Sequence, residues 1–191
     1  MLQAAVDTDF INHVLESRTT NDVSMYLAKV LTDLGLSAIM HPLVYENELD
    51  KNNIKINKLF EDKIISKVEF NQILPNEAAR EYYIFLVKEF LFVLLGDHSI
   101  SEYTAHDIFD VWKRKSNYGE VHTISMCLIM ECGIFLSDDA DSMKLKCIIE
   151  ERKLGEIQVY NRREIIKKHT EEAETPIPRK ERIKITHTRC N

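Results

Sequence analysis

Four short apolar runs recur along the chain with helical stretches between them, and this alternation limits the fold more than any other feature. Residues 2–6 end at Asp7, "LSAIM" starts at Leu36, "IFLS" fills 134–137 and "IQVY" fills 157–160. Between the first two, Val23, Tyr26, Leu27, Val30, Leu31 and Leu34 recur at helical spacing and stop at Gly35. After Pro75, Asn76 and Glu77 open a long apolar helix that ends near Gly96. A further helix is predicted through Tyr103, His106, Ile108, Phe109 and Trp112, and another from Glu120 to Gly133. Strands separated by helices pair in parallel, and a parallel sheet must be covered on both faces. The expected fold class is therefore α/β, a three-layer α/β/α sandwich with a short parallel sheet. Residues 50–118 mix charged and apolar positions in a helical rhythm and read as an enlarged helical middle segment.

A chain of 191 residues that is 45% hydrophobic suits one domain with a full core, here taken as residues 1–172. The stretch "YYIFLVKEFLFVLLG" is interrupted by Lys88 and Glu89 and is too short for a membrane span, so no membrane partner is expected. The N-terminal residues lack a basic region, and the four cysteines form no CxxC pair, which together predict a reduced, cytoplasmic protein. Net charge is −6, which excludes a generic whole-surface nucleic-acid binder. The break "ETPIP" precedes a basic C-terminal tail, residues 173–191, in which Arg179, Lys180, Arg182 and Lys184 are the candidate nucleic-acid contacts; the rival reading is a solvated tail.

The acids carry the functional argument. In an open parallel sheet, sites form in the crevice at the carboxyl ends of the strands. Asp7 and Asp9 follow the first run, Glu46 and Glu48 lie just past the second, and Asp138, Asp139 and Asp141 follow "IFLS", while Glu120 opens the helix leading into that last strand. Carboxylates gathered in one concavity cannot all stay ionised without a positive charge among them. Oxygen donors with no accompanying thiol favour Mg²⁺ or Mn²⁺ over zinc. The chemistry such a site serves best is phosphodiester hydrolysis by an activated water.

The segments "AAVDTDFINHV", "AIMHPLVYENEL", "YGEVHTISMCLIMECGIFLSDD" and "IQVYNRREII" resemble, in order and approximate spacing, the motifs of PIN-domain nucleases, VapC-type toxins among them. Position by position, Asp7 matches the first acid of that pattern, Glu120 the third and Asp139 the fourth. The second is Glu46 or Glu48, with Glu46 preferred. The resemblance implies a Mg²⁺- or Mn²⁺-dependent endoribonuclease with Asp7, Glu46, Glu120 and Asp139 as catalytic acids. Metal would be held by Asp7, Glu120, Asp138 and Asp139, with Asp9, Glu48 and Asp141 in support. It further implies an RNA substrate, a small antitoxin partner and a homodimer. The alternative is a PIN-like binding or scaffolding module without turnover.

Simpler roles compete for each of these residues. Asp7 or Asp9 suits a helix cap, Glu120 gains from a helix N-terminus without any ligand, and one of the three late aspartates suits a cap with the others solvated. His13, His41 and His122 lie near the acids, yet a hydrogen-bonded core or surface role is the commoner one, and none is placed in the catalytic set. Trp112, Tyr82 and Tyr83 could stack bases but read first as core.

Overall fold

The computed structural model describes residues 1–19, 22–109 and 117–187; Trp112 and Arg189 lie outside them. In chain order the elements are β1 (Leu2–Val6), α1 (Thr8–Leu15), α2 (Val23–Asp33), β2 (Leu36–Met40), α3 (Pro42–Asn47), α4 (Ile54–Glu61), β3 (Ile65–Lys67) and α5 (Phe70–Ile73). There follow α6 (Glu77–Leu95), a 3₁₀ turn (His98–Glu102), α7 (Ala105–Phe109), α8 (Tyr118–Ile129), β4 (Ile134–Leu136), α9 (Ala140–Arg152), β5 (Gln158–Tyr160), α10 (Arg162–Glu172) and α11 (Arg179–Thr186).

The five strands form one all-parallel sheet in the order β3-β2-β1-β4-β5, so the protein is an α/β/α sandwich as expected. Period-two alternation sorts the strand residues between two cores. Ala4, Val6, Ala38, Met40, Ile134 and Leu136 face the core shared with Phe10, Leu27, Leu31 and Ile165. Ala5, Ile39 and Phe135 face the opposite core, filled by Tyr83, Leu86, Phe90, Val121, Ile124 and Ile149 from α6, α8 and α9. The alanines of β1 are fully buried at the centre of the sheet, where small side chains leave room for helices on both faces.

Two expectations change. Residues 51–75 are not wholly helical: β3 pairs with β2 through Ala38↔Ile65 and Met40↔Lys67, placing an extra strand at the sheet edge. Only Ile65 of its three residues is buried, so it left no alternating apolar pattern to read. The basic segment after "ETPIP" contains the helix α11, anchored by buried Ile185 and Glu181. Among the described residues no helix is long and apolar enough to cross a membrane.

The position of the site follows from strand order. Chain direction away from β1 reverses between β2 on one side and β4 on the other, and such a switch point opens a crevice beyond the strand ends. The two central strands stay in register to that edge, where the Asp7 amide donates to the Leu136 carbonyl at 3.2 Å.

Candidate metal centre

Three helices begin at this crevice, and each brings acids in its first turn or cap. Asp7 is the N-cap of α1, with Oδ1 accepting from the Phe10 amide at 2.8 Å, and Asp9 follows within the first turn. Glu120 lies in the first turn of α8. Asp139 is the N-cap of α9, with Oδ1 accepting from the Asp141 amide at 2.7 Å. One carboxylate oxygen each from Asp9, Glu120 and Asp139 lies within 4.8 Å of the other two.

A fourth acid reaches the group from α3. Glu48 caps the C-terminus of that helix and accepts from the Thr8 hydroxyl at 2.9 Å. It also receives the Gly119 amide, at the start of α8. A Cβ at position 119 would stand 2.5 Å from Glu48 Oε1 and 2.7 Å from Oε2, so glycine there is what allows the carboxylate to lie against the helix start. Glu48 is exposed as a residue, yet its carboxyl end is desolvated by these neighbours, and burial raises its pKa.

Electrostatics show the cost of this gathering. Burial, with Asp139, Glu48 and Asp9 adding repulsion, pushes Glu120 up to about 7. Burial also pushes Asp7 well above the usual carboxylate range; the Ser137 hydroxyl and the Phe10 amide pull the other way, and Glu120 and Asp9 add to the rise. Asp7 Oδ2 is buried and makes no hydrogen bond meeting ordinary geometry. Among the described residues, none of Asp7, Asp9, Glu48, Glu120 or Asp139 forms an ion pair. Lys144, one turn along α9, pairs with Asp141 and feels Asp139 only as a second influence.

Magnitudes decide what that means. Two carboxylates at 4.8 Å repel by about 3–4 kcal/mol at an effective dielectric of about 20. A helix N-terminus returns only about 0.3–1 kcal/mol per acid. Three converging N-termini therefore do not offset three ionised neighbours, and the group must keep a proton or take up a cation. All donors are carboxylate oxygens, the set suited to a hard divalent ion such as Mg²⁺ or Mn²⁺. The uncommitted Oδ2 of Asp7 is consistent with the same demand for a positive partner.

The other sequence-predicted residues fall elsewhere. Glu46 is on the surface, paired with Lys51 and with Lys67 at 3.4 Å, so Glu48 and not the preferred Glu46 stands beside the cluster. Two residues of helix turn them about 200° apart, which is why only one can face the crevice. Asp138 is turned away: it pairs with Arg162 and with His13 Nδ1 at 2.8 Å and accepts the Arg162 amide, which takes it out of the predicted metal set. Asp141 pairs with Lys144. Asp7, predicted as a direct ligand, is committed through Oδ1 to its cap, and Asp9, expected only to support, supplies the oxygen within the group.

Of the candidate phosphate contacts, Arg179 and Lys180 are exposed, Arg182 donates to the Thr170 hydroxyl at 2.7 Å, and Lys184 pairs with Glu181 at 3.0 Å. Tyr83 is fully buried, whereas Tyr82 is 40% exposed and stacks on Phe85. His41 and His122 are buried on either side of the Tyr83 hydroxyl, at 2.8 and 2.5 Å. Because His41 Nδ1 accepts from the Leu43 amide, its Nε2 carries the proton donated to Tyr83, and the Tyr83 hydroxyl in turn donates to His122 Nδ1. Burial holds both imidazoles neutral, His122 down to about 3. Thr8 and Gly119 were not foreseen as site residues, although both sit inside the motifs that were, between the two aspartates and directly before Glu120.

Comparison with protein-family models, with curated proteins and with solved structures gives no match to this chain.

Proposed function

We propose that the chain is a divalent-metal-dependent phosphodiester hydrolase acting on RNA. The observation that carries this reading is the convergence of Asp9, Glu120 and Asp139, from three separate elements, within 4.8 Å and with no ion pair to any of them among the described residues. Asp9, Glu120 and Asp139 would hold Mg²⁺ or Mn²⁺, with Glu48 and Asp7 at the margin of the set. The bound ion supplies a Lewis acid toward a phosphate oxygen and a water of lowered pKa, so hydrolysis needs no nucleophile from the protein. The residues of the chain act around it. Thr8 and the Gly119 amide hold the Glu48 carboxylate in place, the caps of α1 and α9 fix Asp7 and Asp139, and Glu120 releases its proton near neutral pH. The resemblance to PIN-domain nucleases supports the same reading and supplies RNA as the substrate class.

The test is cleavage of single-stranded RNA with Mn²⁺ or Mg²⁺ and with EDTA, using wild-type protein and Asp139→Asn. Cleavage that requires the metal and falls at least about a hundred-fold in the variant is expected, the scale on which an electrostatic contribution to the transition state acts. Activity that survives both EDTA and the substitution would overturn the reading.

A further inference from the structure

A concavity opens at the same edge of the sheet, where α3 and α5 begin. It has a volume of about 710 Å³ and is walled by Leu43 at the start of α3, Phe70 at the start of α5, and Phe109 at the end of α7. Arg80, Asn71 and His106 supply its polar groups. Phe70 and Phe109 meet edge to face at 6.0 Å, and behind them lies the buried layer of His41 and Tyr83. These aromatics are therefore backed by packed core, and Phe109 is stacked 5.7 Å from Tyr83 at an angle of 8°.

Arg80 is exposed, lies 5.8 Å from the Phe109 ring, and has no ion-pair partner among the described residues. It sits in the first turn of a 19-residue helix, whose N-terminal end is favourable to anions. Among the described lining residues Glu77 is the one acid, and it opposes this in part. An aromatic wall beside a cation and amides matches the demands of a nucleotide: an apolar surface for the base and a charge for the phosphate. One helix touches both places. Leu43 lines the concavity and Glu48 reaches the cluster, and five residues of the same short helix separate them, about 7.5 Å along its axis.

We propose that this cleft is a nucleotide-binding subsite: one base of a single-stranded nucleic acid seats against Phe70 and Phe109, and Arg80 takes an adjoining phosphate, while the neighbouring segment of the strand passes over Glu48 to the carboxylates. The proposal rests on the phosphodiester reading above for its substrate class, but its test does not depend on cleavage. It also assigns a role to the middle segment, since α5, α6 and α7 together build the cleft.

The experiment uses the full chain in EDTA, so that no hydrolysis occurs, with single-stranded RNA oligonucleotides carrying 4-thiouridine and the matching DNA oligonucleotides. Crosslinks to the peptides holding Phe70, His106 or Phe109 are expected. Arg80→Glu, a change at an exposed position, is expected to weaken binding about five-fold or more while leaving the circular dichroism spectrum and calorimetric Mn²⁺ binding unchanged. Equal loss for RNA and DNA identifies base and phosphate as the recognised groups; loss for RNA alone adds the 2′-hydroxyl. Absence of binding by the wild type, crosslinks confined to other surfaces, or unchanged affinity in Arg80→Glu would each overturn the subsite, even if metal-dependent cleavage were found. Crosslinks at the cleft without any cleavage would instead uphold the subsite and remove the catalytic reading.

Discussion

Asp138 and Asp139 are adjacent in the chain, yet they belong to two regions with opposite treatments of charge. On the α10 side, Asp138 is met by Arg162 and His13, and farther along the same layer Asp33 is met by His169 and Lys29, both at 2.8 Å. On the crevice side, Asp139 joins Asp9 and Glu120 with no ion pair among the described residues. The protein thus has the means to neutralise a carboxylate at the end of β4 and uses them for one residue only. Asp33 and Asp138 are thus neutralised by basic side chains, whereas Asp9, Glu120 and Asp139 form no ion pair among the described residues.

The largest effect expected from that contrast is on the paired side. Arg162→Ala removes the guanidinium from Asp138 and leaves it His13 and the backbone amide of residue 162, in a site where both original side chains are 10% exposed or less, and should cost about 3 kcal/mol or more of stability. Chemical denaturation measures it, and metal binding by the protein that stays folded should be unchanged. On the crevice side, Asp139→Asn should do the reverse, removing Mn²⁺ binding and cleavage while stability holds or rises in the metal-free protein. If Asp139→Asn proved the more destabilising of the two, the division between structural and functional acids would fail.

Gly119→Ala should have a smaller effect. The added methyl displaces Glu48 and leaves its backbone partner blocked, and weakening of Mn²⁺ affinity by about ten-fold is expected by calorimetry, the scale typical of groups that orient a metal site. Retained affinity would mean that Glu48 plays no part.

The smallest effect is in the pH profile. Glu120 is raised from its ordinary value to about 7, so between about pH 4.5 and 7 the folded state holds a proton that the unfolded chain has lost. Its contribution to the stability of the metal-free protein is present at low pH and disappears as pH rises through that window. Buried His41 and His122 act in the opposite sense, destabilising as pH falls below about 6.5, so the wild-type curve alone mixes the two. The difference between Glu120→Gln and wild type isolates the acid: near zero at pH 4.5 relative to its own baseline, and growing in favour of the variant by on the order of 2 kcal/mol by pH 7.5. Mn²⁺ should reverse that advantage, since the ion takes the place of the proton.

Much of this arrangement was legible in the sequence because parallel strands buried on both faces are written as apolar runs, and the strand-end rule then places whatever follows them on one rim. Asp7, Asp9 and Asp139 were located that way, and Glu120 as the acid that opens the helix leading into β4. What could not be read were choices made by a fraction of a helical turn. Whether Glu46 or Glu48 faces the crevice depends on where α3 starts, and that is set by Pro42 and the His41 cap. Which of Asp138 and Asp139 stays unpaired depends on Arg162, contributed from 24 residues later. The strand Ile65–Lys67 escaped because an edge strand with two solvent-facing polar residues has no apolar pattern. The cleft beside α3 was invisible for the same kind of reason, since its walls come from segments that look like ordinary helix.

The central strand of the sheet is separated from one of its two neighbours by a long stretch of chain: β1 pairs with β4 through Ala4↔Ile134, about 130 residues away. Closing so long a loop delays assembly of the sheet's middle until β4 is in place. Asp9, on the first helix, thus waits for Glu120 and Asp139 to emerge. A fragment of the chain that stops short of Asp139 therefore has no complete carboxylate group.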